Sequence, residues 1–314
     1  MPTNWVTIID AFLPEDGFSG TLVGRVWRPD ANGPSVVAIR ETGVIDITAA
    51  VPAMSMLTNA DDPAAIAEAD GENLGDWRAI ATNSVAATRD PSHPWFLSPS
   101  DLHAHKACGV TFVRSLLERV IDERTAGNPA LAEEVRAELL ESIGIDLSEV
   151  VPGSTEAETV KATLLERDMW SQYLEVGIGP YAEVFSKAQP MSAVGFGAEI
   201  GIHPMSTWNN PEPEVVLIGS ASGGIVGAAL GNDVNLRDVE GRSALLLGRA
   251  KDNNGSCAIG PFIRLLDETF TLDDVRNAFV SLTVEGNDNF RLEDGSSMTE
   301  ISRDVEDLMA QTLS

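Results

Sequence analysis

The chain has 314 residues, 43% of them apolar, and its 48 acidic against 21 basic side chains give a formal charge of −27. So acidic a surface repels nucleic acid and anionic lipid and excludes both as partners. A small anionic substrate would need a local positive site, built from a metal and a few chosen basic residues.

The length fits one large domain or two modest ones. The opening "MPTNWVTIIDAF" lacks the basic start of a signal peptide, and no run approaches the roughly 18 apolar residues of a membrane span. Two cysteines, Cys108 and Cys257, make no disulfide framework and read as small buried apolar residues of a cytoplasmic protein.

In chain order, "VTIID", "GTLVGRVWR", "PSVVAIRE" and "VIDITA" read as short strands, and "DDPAAIAEADG" as a short helix. The proline-bearing "TRDPSHPWFLSPSD" reads as an extended connection. It sets the expected division into an N-terminal β-rich domain, 1–98, and a catalytic domain, 99–314. Residues 111–175 read as a helical insertion, with Phe112, Leu116, Leu117, Val120 and Ile121 at helical spacing. Asn128 followed by Pro129 predicts the start of a second helix, lined by Leu131, Val135, Leu139 and Leu140. Thr155 with Glu158 predicts a capping box for a third, carrying Val160, Leu164, Met169 and Tyr173. From residue 180 the pattern turns to β, with strands expected at "AEVFSK", "AEIGIH", "EVVLIG", "GIVGAALGND", "FVSLTVEG" and "NFRLEDG". A helix capped by Thr271 and Asp274 interrupts them, and an amphipathic helix with Ile301, Val305, Leu308 and Met309 ends the chain. The expected architecture is α+β, a closed or nearly closed β core with helices around it.

The chemistry gathers around "WNNPEPEVVLIG". Glu212 and Glu214 stand two apart, so in a strand both carboxylates point to one face. Two acids aimed into one concavity repel unless a cation lies between them, and oxygen ligands suit Mg²⁺, Ca²⁺ or Mn²⁺. Two solvated acids at an exposed strand end are the competing reading. Asp233, closing "VGAALGND", completes a three-carboxylate set if its segment pairs with 214–219; Asp238, beside Arg237, reads as a surface pair. Lys251, in "GRAKDNNGSCAIGPFI", can bring an ammonium to a metal-bound anion, as a binder or a base. Glu183 and Lys187 of "AEVFSKAQ" are four residues apart and can face the same way.

Taken in order, "EVFSKAQ", "WNNPEPEVVLIG", "GNDVNLRDVEG" and "AKDNNGSCAIGPFI" resemble the fumarylacetoacetate hydrolase superfamily over residues of about 105 to 265. The resemblance implies a mixed β-roll, with Glu212, Glu214 and Asp233 as ligands of Mg²⁺ (or Mn²⁺) and Lys251 as the active-site lysine. Hydrolases of the group carry a pattern like C-V-G-x-N-Y-x-x-H-x-x-E. Here "ACGVTFVRSLLERV" keeps Glu118 but has Thr111 for the Asn and Ser115 for the His that activates water. His93, His103, His105 and His203 lie outside that segment.

"GVTFVRS", the helical insertion and Glu183 instead resemble the superfamily's dehydratases of 2-keto-3-deoxy-pentonates. That implies conversion of a D-xylonate or D-arabinonate derivative to 2,5-dioxopentanoate in pentose catabolism. Glu183 and Lys251 would share the proton transfers, and Arg114, Lys187, Glu118 and Asn254 would hold the substrate. An acylpyruvate-type hydrolase or 2-oxo acid decarboxylase is the alternative on this scaffold, and a non-catalytic metal-binding protein the alternative of another class. The resemblance also implies a homodimer or homotetramer, and further strands that in family members follow the point corresponding to Ser314.

Overall fold

In the computed structural model the described residues are 9–125, 129–144, 147 and 150–313. They fall into two compact units. The first comprises residues 1–106, 186–275 and 280–295, and the second residues 107–185, 276–279 and 296–314.

The first unit is built on an eight-stranded sheet. Its strands are β1 (Leu22–Arg28), β2 (Gly33–Arg40), β3 (Gly43–Asp46), β4 (Glu72–Asn73) and β5 (Trp95–Phe96), joined by β8 (Pro213–Gly219), β9 (Ile225–Asp233) and β10 (Cys257–Leu265). Between these groups, β6 (His105–Gly109) pairs with β7 (Glu183–Ala188) in a ribbon of its own. Later in the chain, β11 (Phe279–Glu285) and β12 (Arg291–Ser297) form a separate hairpin.

The order in the sheet is β4-β3-β2-β1-β10-β9-β8, with β5 beside β1. It is open along this path, with β4 and β8 at its two ends, where a closed or nearly closed structure was expected. Residues 1–98, expected as a separate domain, share this sheet with β8–β10. The joint is β1 against β10, antiparallel, with Leu22 opposite Arg264 and Val23 opposite Ile263. A proline-bearing connection marks a change of element, which need not be a domain boundary, because strand pairing reaches across it.

Both faces of the sheet are covered. Val36 and Ala38 of β2 pack with Val23, Ile218, Ile259 and Ile263 in one cluster. Val37 and Ile39 pack on the other face with Trp77, Ile80, Phe96 and Phe262. This is why β1 and β2 are buried in continuous runs and do not alternate. The helix Trp77–Asn83 that supplies Trp77 and Ile80 starts at Asp76, whose side chain accepts from the Arg78 N–H.

Two strand expectations differ. "AEIGIH" forms no strand: the Gly201 N–H donates to the Gly255 carbonyl at 2.9 Å, and the segment runs as irregular chain against that loop. "CAIGPFIRL", unmarked as a strand, is β10, with a register shift between Gly260 and Arg264. Its Gly-Pro pair looks like punctuation, and the shift is what accommodates it.

The second unit is helical. Leu116, Val120 and Ile121 of Val113–Thr125 pack with Leu139 and Ile143 of Ala132–Ile143, Val160 and Leu164 of Thr155–Glu166, and Leu174 and Ile178 of Gln172–Ile178. Most of the expected stripe residues therefore lie in its core, whereas Leu131 and Leu140, expected on the second helix's stripe, are exposed. The third helix is capped one residue earlier than expected: Ser154, not Thr155, accepts from the Ala157 N–H. The expected cap Asn128 lies outside the described residues. Thr271 and Asp274 do bond each other, the Asp274 carboxylate accepting from the Thr271 N–H at 2.7 Å. The C-terminal helix is Val305–Leu313, with Val305, Leu308 and Met309 buried. Among the described residues no helix is long and apolar enough to cross a membrane.

Arg303, 2% exposed, donates to the carbonyls of Val176 and Gly179 at the end of the helix Gln172–Ile178. A cation there satisfies carbonyls that no helix residue can reach. Arg303→Met should cost about 2–3 kcal/mol, read as a lower midpoint in urea unfolding.

His105 is buried, with Nε2 2.7 Å from Ser100 Oγ and Nδ1 3.3 Å from the Gln189 carbonyl. Burial holds its pKa below the usual value, against hydrogen bonds to the Gln189 and Ala188 backbone that raise it. The unfolded chain therefore takes up a proton below about pH 6.5 that the folded chain refuses. The His105 contribution to stability should therefore shrink as pH drops from 7.5 to 5.5, so that His105→Gln loses less stability, or gains more, than wild type over that interval, measured by urea unfolding of both at both values.

Candidate metal centre

Pro213 opens β8, where its missing N–H costs no ladder bond. The register puts Pro213 opposite Asn232 and Glu214 opposite Gly231. One step further the Asp233 N–H donates to the Glu212 carbonyl at 2.8 Å. Strand pairing thus brings the end of β9 alongside the start of β8, and with it three acids.

One oxygen from each of Glu212, Glu214 and Asp233 lies within 4.8 Å of the others. Opposite corners of an octahedron of 2.1 Å bonds are about 4.2 Å apart, so small adjustments of side chains would fit such a cation. Asp233 is 4% exposed, and its Oδ1 accepts no hydrogen bond among the described residues but is ion-paired with the Lys187 ammonium 3.2 Å away. Burial, then the charges of Asp233 and Glu212, push the Glu214 carboxyl up to about 8, against the opposing pull of Lys251. A carboxyl driven toward its neutral form is what an acid cluster shows when its charge is incompletely balanced. The donor set is all carboxylate, which suits a hard divalent cation.

Two lysines supply the balance that is present. Lys251 ends the short helix Leu247–Lys251 and is 3% exposed. Its ammonium donates to Glu212 Oε2 and, at 3.0 Å, to Asp233 Oδ2. Burial alone would lower its pKa, but the two carboxylates outweigh this and raise it. Lys187 of β7, also 3% exposed, donates to the Val234 and Lys251 carbonyls and to Ser256 Oγ, and lies 3.2 Å from Asp233 Oδ1. Burial lowers its pKa against the pull of Asp233. Expected as a substrate contact, its ammonium is instead turned onto the protein's own oxygens.

Asn254 is exposed in the turn after Lys251. Glu183 and Glu118 belong to the second unit. Glu183 opens β7, and its carboxylate crowds Gly109, where an added Cβ would meet Oε2 at 2.0 Å. Glu118 is paired with Arg136 at 2.8 Å on the surface. The side chains of Arg114 and Ser115 lie outside the described residues. The four histidines have contacts elsewhere: His93 with Ser92, His103 with Thr58, His105 with Ser100 and His203 with Arg249. Asn235 was passed over, although in extended chain it shares a face with Asp233, and its amide bonds Glu212.

Replacing Asp233 by Asn should weaken Mn²⁺ binding more than about 100-fold, since a lost ligand costs more than a lost supporting contact. Wild type should gain about 2.7 kcal/mol of stability at Mn²⁺ one hundred times its Kd, and Asp233→Asn less than about 0.4 kcal/mol at that concentration. Calorimetric titration and thermal unfolding check both.

No family model matches the sequence. Over 170 residues the chain is 31% identical to a probable 2-keto-3-deoxyxylonate dehydratase of Haloferax volcanii, covering 54% of this chain and 57% of that protein. Over 97 residues it is 36% identical to the 2-dehydro-3-deoxy-D-arabinonate dehydratase of Saccharolobus solfataricus, 31% of this chain and 30% of that one. The chain thus spans little more than half the length of the first of these relatives and less of the second.

Among solved structures, 2-keto-3-deoxy-D-arabinonate dehydratase complexed with magnesium and 2,5-dioxopentanoate superposes with a TM-score of 0.56 at 18% identity, over 93% of this chain and 82% of that one. A hexagonal crystal form of 2-keto-3-deoxyarabinonate dehydratase gives 0.60 at the same identity and coverage. A fumarylacetoacetate hydrolase from Exiguobacterium antarcticum gives 0.51 at 16% identity, over 93% and 80%. The sheet and helices described above are therefore the α+β fold of the fumarylacetoacetate hydrolase group, the fold expected from the four sequence segments.

Proposed function

We propose that the protein is a divalent-metal-dependent hydro-lyase that converts a 2-keto-3-deoxy-pentonate to 2,5-dioxopentanoate and water. The observation that carries this reading is the trio Glu212, Glu214 and Asp233 with Lys251 bonded into it. The similarity to proteins named as dehydratases of these sugar acids supports the substrate class.

Glu212, Glu214 and Asp233 would hold Mg²⁺, and Mn²⁺ suits the same oxygen set. When bound there the cation supplies Lewis-acid polarisation of a 2-oxo carboxylate, which acidifies the C3 hydrogens. The reaction removes one proton from C3 and the hydroxyl from C4, so the C3–H and C4–O bonds break and water leaves. Proton shifts then carry the unsaturation to C5, giving the aldehyde.

Lys251 is the residue proposed to move the C3 proton. Its ammonium is stabilised by Glu212 and Asp233, and a cation engaging those acids would weaken that stabilisation and bring its pKa down. Glu183 is proposed to protonate the departing hydroxyl, by the resemblance of "EVFSKAQ" to the corresponding dehydratase segment. Ser115, where the hydrolases carry a water-activating His, weighs against C–C hydrolysis.

Incubation with Mg²⁺ and 2-keto-3-deoxy-D-xylonate or its arabinonate counterpart, coupled to a semialdehyde dehydrogenase, should produce NADH. Chelation should abolish it, and Glu183→Gln should lower kcat by about 100-fold or more. Turnover of acylpyruvates alone would point to the hydrolase. Metal binding without turnover of either substrate would point to a non-catalytic scaffold.

A further inference from the structure

Asn235 lies two residues past Asp233 and is wholly buried. Its backbone and its side chain both act on the segment that carries Glu212. The Asn235 N–H donates to the Asn210 carbonyl at 3.0 Å, and the Asn210 N–H returns a bond to the Asn235 carbonyl at 3.1 Å. This bridge continues the pairing of β8 and β9 beyond both strands. The side-chain amide donates one hydrogen to Glu212 Oε1 at 3.0 Å and the other to Glu240 Oε2 at 2.6 Å. Glu240 Oε2 also accepts from Arg237 at 2.9 Å.

The orientation of this amide follows from its partners. Flipped, its oxygen would face two carboxylates, which offer no hydrogen to accept. In the orientation observed, Asn235 Oδ1 is buried with no hydrogen-bond partner among the described residues. An orphaned buried acceptor is costly, so the arrangement is one in which donation to Glu212 and Glu240 outweighs satisfaction of the amide's own oxygen. Glu212 is thereby held from one side at Oε1, while Oε2 faces Lys251 within the acid trio.

We propose that Asn235 is a positioning residue for the metal centre, which acts through Glu212 by fixing the rotation of its carboxylate so that one oxygen is presented to the cation. The inference rests on the metal-centre reading and not on the identity of the substrate. Partners that orient a ligand in this way are worth roughly 10- to 100-fold in metal affinity.

The test is a titration with Mn²⁺ alone, followed by electron paramagnetic resonance, of wild type, Asn235→Ala, Glu212→Ala and the double variant. Asn235→Ala should bind Mn²⁺ roughly 10- to 100-fold more weakly, with an altered spectrum of the bound ion, while retaining cooperative unfolding. In the Glu212→Ala background the same substitution should have no further effect, because its target is gone. Should Asn235→Ala not fold, Asn235→Ser carries the same cycle, with a smaller loss expected from its single, shorter donor. A folded Asn235 variant with Mn²⁺ affinity within twofold of wild type, or losses that add across the cycle, would overturn the proposal. Failure of wild type itself to bind Mn²⁺ would overturn the metal-centre reading and this inference with it.

Discussion

Three carboxylates and two ammonium groups share the neighbouring ends of β8 and β9, and the balance among them governs how this part of the chain is built. Two carboxylates 4.8 Å apart repel by about 3.5 kcal/mol at an effective dielectric of 20. A fold that assembles three must offset this with cations, or else hold one of the acids neutral. The structure does some of each: Lys251 and Lys187 bring positive charge, and the Glu214 carboxyl is pushed up to about 8. A divalent cation would complete the compensation and let all three acids ionise.

Much of the surrounding architecture serves to bring these charges together. β8 and β9 pair so that Asp233 falls beside Glu212. β10 extends the sheet on the other side of β9, placing Cys257 opposite Asp233. Lys187 gathers the carbonyls of Val234 and Lys251 with Ser256 Oγ, tying β7 to the end of β9 and to the loop after Lys251. This gives a buried lysine a clear physical task. It also accounts for so acidic a chain committing two of its four lysines to one buried cluster.

The legible parts of the sequence were those set by local spacing. Glu212 and Glu214 share a face because a strand repeats every two residues, and Leu116, Val120 and Ile121 share one because a helix repeats every 3.6. Asp233 was reachable because a Gly-rich apolar segment ended on it. What lay outside the reading depends on partners distant in sequence. Nothing in "GTLVGRVWR" announces that β1 will pair with β10, and so the connection near residue 98 looked like a domain boundary. The Ser154 cap was missed because Thr155 and Glu158 imitate a capping box one residue later. Asn235 was missed because an asparagine two residues beyond an acid says nothing until the chain shows it donating to Glu212 and Glu240.

The account stands on the claim that Glu212, Glu214 and Asp233 form a cation site. Its most direct test is an anomalous-scattering map from a crystal of the full chain grown with Mn²⁺. The account predicts a strong peak about 2.1 Å from one oxygen of each acid, with the Lys251 ammonium displaced from between Glu212 and Asp233. A crystal with no peak at these acids, or with Mn²⁺ bound only elsewhere, would contradict it.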